Sequence, residues 1–293
     1  MVRVKYLFGS RHTRRLENIR KQRGKYPDVM KKVIGISDII LEVMDARFIQ
    51  ETRNLEVEKM IKEEGRKIVY IMNKCDLVDI DKVRRTMPRG LRPVVFVSTV
   101  TGKGSRDLRD RIKIEASRFK IGENITKELK EGEKFKGTDI RKKVHIGIIG
   151  YPNVGKSSLI NLITRRGVAK TSKQAGFTRG MQRIRFTDKI LILDTPGVIP
   201  ESRYSSSSKR AFSEDALLGA RTYSHVKDPE DVVYFLMEKN SKKILSHYGF
   251  EEMESDEFIE TLGKKKNFLI KGGKIDMDRA ARIILKDWQL GKI

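Results

Sequence analysis

Lys156 lies in a run, Gly150 to Ser157, that reads GYPNVGKS, and two glycines, a lysine and a hydroxyl at this spacing wrap a polyphosphate. Glycines let backbone N–H groups close around phosphate oxygens, a following helix adds the positive end of its dipole, and Lys156 brings a point charge to the β and γ groups. Asn153, Val154, Gly155 and Ser158 complete the cradle, and Ser157 would ligate Mg²⁺. Further on, DTPG (Asp194 to Gly197) ends an apolar run; there Asp194 would hold the Mg²⁺ through water and the Gly197 N–H would face a γ-phosphate. Between them, Thr178 in GFTRG is placed to reach the same ion only when a γ-phosphate is present, and its neighbours Gly176 and Gly180 suit a segment that orders on binding. On this reading Lys156, Thr178 and Gly197 stabilise a phosphoryl group in transfer, and Ser157, Thr178 and Asp194 form the metal side.

Base recognition is written upstream. In NKCD (Asn73 to Asp76) the Asp76 carboxylate can accept from the N1–H and N2–H₂ edge of guanine, a pair of donors that adenine does not offer. Asn73 and Lys74 would brace the loop and cover the base, while Ser98 and the Thr99 backbone N–H in STV (Ser98 to Val100) would read O6. NKCD alone is a short string; it gains weight because it ends an apolar strand and is followed one strand later by VSTVTGKG. The ligand implied is GTP or GDP with Mg²⁺. Guanine recognition precedes phosphate binding, which rotates the usual order of these motifs.

Elements that position such loops are legible. Apolar runs at Ile39 to Met44, Ile68 to Met72, Val94 to Val97, Val144 to Ile149 and Ile190 to Leu193 each end at a polar motif, and helical patterns at Leu55 to Glu64, Arg106 to Phe119 and Lys156 to Arg165 alternate with them. That alternation predicts a mostly parallel sheet with helices on both faces and ligand loops beyond the strands' carboxyl ends. After Pro200 the pattern becomes helical, at Ala211 to Thr222, Pro229 to His247, Ser255 to Leu262 and Met277 to Trp288. The last of these puts Met277, Ala280, Ala281, Ile284 and Trp288 on one face, with Asp276 as its cap. The expected organisation is a basic arm (1–34), an α/β domain (35–202), a linker (203–210, RYSSSSKR from Arg203) and an all-helical, RNA-binding domain (211–293).

A formal net charge of +24 over 293 residues implies attraction to a polyanion, with RNA ahead of an anionic membrane. Charged-residue content of 35% also suits heat-adapted ion-pair networks, although these need no such excess of one sign. Residues 201–293 hold 17 Lys or Arg against 16 Asp or Glu, so the excess lies upstream. A single cysteine, Cys75, excludes an intramolecular disulfide and a Cys-rich zinc module and fits a reducing interior. No apolar run reaches the roughly 20 residues of a membrane helix. A cytoplasmic monomer is expected.

The motif order, MDARFIQETRN (Met44 to Asn54), GYPNVGKSSLIN, DTPGVI and the closing RAARIILKDWQLGKI together resemble the circularly permuted GTPases, most closely the YlqF (RbgA-like) family implicated in large ribosomal subunit assembly. The resemblance implies a circularly permuted P-loop GTPase domain followed by a helical domain, a slow GTPase stimulated by the ribosomal subunit, and the large subunit or its precursor, with its rRNA, as partner. Val198 stands where many GTPases have a glutamine that orients water, so another group would have to complete the site. Asn153 matches a residue that helps hold K⁺ in related enzymes, or else simply shapes the loop. His12 follows Phe8 and Gly9 faintly as in bacterial members, but without the surrounding FPGHM pattern it reads first as part of the basic arm, while His145 reads as structural. Because the DTPG switch runs into the helical module, nucleotide state could reorient that module. A GTP-regulated RNA scaffold with incidental hydrolysis, and an RNA chaperone with a vestigial pocket, are the rival readings.

Overall fold

The computed structural model describes residues 26–119, 143–164, 182–195, 209–219 and 221–293. Six strands form one sheet in the order β3-β2-β1-β4-β6-β5. They are β1 (Ile39–Asp45), β2 (Lys67–Asn73), β3 (Val94–Phe96), β4 (Val144–Gly150), β5 (Gln182–Thr187) and β6 (Ile190–Asp194). All neighbours run parallel except β5 and β6.

Strand β1 is buried along its whole length, the signature of a central parallel strand covered on both faces. Its side chains alternate accordingly. Ile39, Leu41 and Val43 pack with Leu108 and Ile112 of α5 (Ser105–Ser117) and with Leu159 and Ile160 of α6 (Lys156–Thr164). Ile40 and Met44 face the other layer, with Ile34 of α1 (Tyr26–Ile36) and Ile61 of α3 (Leu55–Glu63). Short helices α2 (Ile49–Thr52) and α4 (Ile80–Thr86) complete this part.

Glu42 is the polar exception inside β1, which ends on a second buried carboxylate, Asp45. It is fully buried, its Oε1 accepts from the Asn54 N–H at 3.0 Å, and burial, reinforced by nearby Glu58, pushes its carboxyl up to about 8.

Helices α7 (Lys209–Leu217), α8 (Pro229–Tyr248), α9 (Ser255–Lys265) and α10 (Met277–Gln289) enclose a second core around Leu236, Phe258, Ile284 and Trp288. Asp276 caps α10 as expected, accepting from the Arg279 N–H at 2.9 Å. Two differences from expectation have plain causes. The last residues of the segment read as a basic arm belong to a helix packed on the core: Met30, Val33 and Ile34, at helical spacing, bury one side of α1, with Lys31 and Lys32 on the other. Strand β5 escaped notice because Arg183 and Arg185 alternate with Ile184 and Phe186, the pattern of an edge strand with one wet face. No described helix is long and apolar enough to cross a membrane.

Candidate guanine nucleotide site

The four loops that matter leave the sheet at the carboxyl ends of β2, β3, β4 and β6, where an open parallel sheet binds ligands. Parallel pairing of β1 with β2 and β4 puts Asn73 and Gly150 on either side of Asp45 and Val43.

Asn73 ties the two halves of the site together. Its buried side chain donates from Nδ2 to the Val154 carbonyl at 2.7 Å and accepts the Thr99 N–H on Oδ1 at 3.3 Å. The NKCD, STV and GYPNVGKS segments therefore converge, 81 and 26 residues apart in sequence. Glycine is required at the junction: Gly155 has φ +97°, and a Cβ there would lie 2.3 Å from Asn73 Nδ2. Gly150 likewise passes so close to β1 that its Cβ would meet the Val43 carbonyl oxygen at 2.2 Å.

On the base side, Lys74 adopts the left-handed conformation (φ 61°), and its Nζ lies 2.8 Å from Asp45 Oδ2. A single 3₁₀ turn, Cys75–Leu77, follows and leaves Asp76 exposed with its carboxylate available to a ligand. Ser98 is fully buried, and its Oγ accepts from the Val100 and Thr101 N–H groups at 3.3 and 3.0 Å. Its hydroxyl thus shapes the loop that carries Thr99.

On the phosphate side, Lys156 is buried and donates to the carbonyls of Gly150 at 2.9 Å and Tyr151 at 2.8 Å. Burial brings its ammonium down to about 8, opposed by the charge of Asp194. Burial also raises the Asp194 carboxyl, whose Oδ2 accepts from Ser157 Oγ at 3.1 Å while Oδ1 is buried with no hydrogen-bond partner among the described residues. An orphan carboxylate oxygen beside a serine hydroxyl suits a hard cation such as Mg²⁺, so Ser157 and Asp194 fit the metal role read from the sequence. Val154 is buried in the domain core, and Ser158 opens α6 half-exposed. Thr178, Gly197, Val198, His12 and most of the linker lie outside the described residues.

Asn153, at φ 58°, donates from Nδ2 to the Gly219 carbonyl at 2.6 Å. A carbonyl acceptor fixes the amide orientation and leaves Oδ1 as the arm able to meet a cation. Tyr151 OH also donates to Asp215 at 3.2 Å. The phosphate loop is therefore seated on α7 and the turn after it, a contact that sequence reasoning missed. No local signal marks Gly219 or Asp215. Asp45 and Arg47 were visible within MDARFIQ but carried no assigned role.

His145, read from the sequence as structural, is buried on β4, and burial holds its imidazole below the usual histidine range.

Residues 145–271 match the family described as 50S ribosome-binding GTPase. The match opens on β4 and its phosphate loop, leaving the guanine motifs upstream, as the rotated order requires. The GTP-binding protein MJ1464 of Methanocaldococcus jannaschii is 36% identical over 270 residues, covering 90% of this chain and 65% of that protein. The nuclear GTP-binding protein NUG1 of Saccharomyces cerevisiae is 29% identical, with 94% and 56% covered. The chain thus spans about half to two thirds of the length of these relatives. GNP-bound YlqF from T. maritima superposes with a TM-score of 0.60 at 20% identity, covering 92% of this chain and 94% of that one.

Proposed function

We propose, from the premise that this chain is a circularly permuted GTPase with the YlqF fold, that it binds and hydrolyses GTP as a switch on the large ribosomal subunit or its precursor. One observation carries the nucleotide reading: Asn73 of the base loop holds the Val154 carbonyl of the phosphate loop, so guanine and phosphate recognition face one ligand.

In the proposed reaction Asp76 selects guanine and Lys74 covers the base. Lys156 exchanges its two carbonyl partners for β and γ oxygens, which stabilise its charge where burial alone had opposed it. Mg²⁺, held by Ser157 and Asp194 with Thr178, would neutralise charge developing on the phosphates. Val198 cannot orient water, so intrinsic turnover is slow and docking on the subunit completes the site. Asn153 Oδ1 would hold K⁺ beside the phosphates.

RNA contact is supported by a surface feature as well as by net charge. A groove of 590 Å³ beside the edge strand β3 is lined by Lys67, Arg84, Arg92, Arg111 and Arg118, with Glu115 the one acid. Glu115 accepts from Arg111 and Arg118, and Lys67, Arg84 and Arg92 make no ion pair among the described residues. Four of five cations are arginines, whose forks match phosphate oxygens. The four loops of the nucleotide site leave one edge and the groove another, so both could be engaged together. We place the protein in the cytoplasm as a monomer.

The test is GTP turnover with and without large subunits, in K⁺ and in Na⁺. Stimulation by subunits is expected, greater in K⁺. A flat response would leave a GTP-regulated RNA scaffold, and loss of guanosine preference over adenosine would overturn the nucleotide assignment.

A further inference from the structure

The guanine loop does not stand on the sheet alone. Asp45, at the end of β1 and 1% exposed, receives Lys74 Nζ at 2.8 Å and two of the three arms of the Arg47 guanidinium, Nε at 3.0 Å and Nη2 at 2.9 Å. The remaining arm of Arg47, Nη1, donates to the Trp288 carbonyl at 3.1 Å, in the last turn of α10. The Phe48 ring lies 5.9 Å from that of Trp288, with the Arg47 guanidinium 5.0 Å from the centre of Phe48. From the other side, Gly291 is pressed against the 3₁₀ turn that carries Asp76: a Cβ at Gly291 would meet Leu77 Cδ1 at 2.3 Å. The loop that carries Lys74 and Asp76, the two residues read as gripping the base, is thus linked to the end of the helical domain twice, through Asp45 and Arg47 and through Leu77.

Simple packing is a poor account of this arrangement. Removing a carboxylate and two cations from water is costly unless every charge is matched in geometry, and apolar side chains of similar size would fill the space with less penalty. What the ionic arrangement adds is register: Arg47 fits only where a main-chain carbonyl of α10 and both oxygens of Asp45 are presented together.

We infer that the segment Trp288 to Gly291 is a working part of the guanine site, so that guanosine affinity and docking of α10 are a single coupled equilibrium, with Asp45 and Arg47 as positioning residues. Coupling of this kind is reciprocal. A partner that pulls the helical domain away from Arg47 loosens the hold on the base, and a bound guanine nucleotide holds α10 down by the same factor. This gives the rotated domain a second link to the helical domain, at the base rather than at the γ-phosphate, and therefore sensitive to GDP as well as GTP. The inference rests on the nucleotide reading above.

Trp288 is the only tryptophan in the chain, so its emission reports on the contact directly. Titrating the full chain with GDP is expected to change that emission. Arg47→Ala should abolish the change and raise the GDP Kd about tenfold while leaving the affinity for inorganic tripolyphosphate unaltered, because the phosphate loop is untouched. Arg47→Lys, which keeps a charge beside Asp45 but cannot span to Trp288, should fall between. Gly291→Ala approaches from the opposite side and should weaken GDP in the same selective way, which keeps the test open if Arg47→Ala does not fold. A GDP Kd within twofold of wild type in both alanine variants, or parallel loss of GDP and tripolyphosphate, overturns the inference. A wild-type protein with no preference for GDP over ADP overturns the nucleotide reading instead.

Discussion

Replacing Asn73 by alanine removes a side chain that ties all three recognition segments together. Its loss leaves the buried Val154 carbonyl without the amide at 2.7 Å and frees the Thr99 N–H from its 3.3 Å acceptor. An unsatisfied buried carbonyl costs about 1–3 kcal/mol and the longer bond roughly 0.5–1.5 kcal/mol, about 2–4 kcal/mol together. Part of this falls on the fold and part on the nucleotide complex. With about half on each, GDP affinity drops roughly 5- to 30-fold, and Tm falls by about 2–8 °C. Asn73→Asp separates chemistry from volume: it keeps the size but sets a carboxylate against a carbonyl oxygen, so it should lose more than alanine. Both variants are checked by fluorescent GDP titration and thermal melts followed by circular dichroism. If Asn73→Ala binds GDP within twofold of wild type with unchanged Tm, or if aspartate is no worse than alanine, the bridge does not organise the site and the reasoning fails.

Three further outcomes follow from the charges. The Lys156 ammonium is held down to about 8 and bound phosphate would raise it again, so the free site loses its proton first as pH rises. GTP affinity should be flat below pH 8 and fall by up to tenfold per pH unit above it, as isothermal titration between pH 6.5 and 9.5 would show. Asp194→Asn should abolish the difference in GTP affinity between Mg²⁺ and EDTA, because the orphan carboxylate oxygen loses its charge; an undiminished difference would remove Asp194 from the metal site. Glu42 stays protonated in the fold up to about 8, whereas the unfolded chain releases that proton near 4.5, so native stability falls as pH rises between those values. Glu42→Gln should flatten that fall, gaining on wild type at pH 8 and little at pH 5 in urea melts.

The parts that were legible before any coordinates share a physical reason. The central strands are apolar runs that end at a polar motif, so Ile68 to Met72 or Val144 to Ile149 announced both a strand and where its loop begins. The core stripe of α10 was equally plain, since Ala280, Ala281, Ile284 and Trp288 repeat at helical spacing. What escaped lacked local pattern. Helix α4 buries none of its seven residues, and β5 alternates with arginine. The ties from Asn153 to Gly219 and from Arg47 to Trp288 join residues 66 and 241 positions apart, and in both an ordinary main-chain carbonyl is the acceptor. Carbonyls carry no sequence signature, so the seat of the guanine loop on α10 could be read only from the folded chain.

The adjacency of β1 and β4 has a consequence for how the protein matures. The side chains proposed to touch the base are encoded before residue 104 and those proposed to hold phosphate after residue 149, and the two tracts pair strand to strand along the parallel seam Ile39↔Ile146 to Val43↔Gly150. During synthesis the first tract emerges with no phosphate cradle to work with, so nucleotide can reward only the zipped sheet and acts as a late clasp on assembly. The same seam marks where the gene could be cut: two polypeptides divided within 120–142 should reconstitute one another, and guanosine triphosphate should tighten their association.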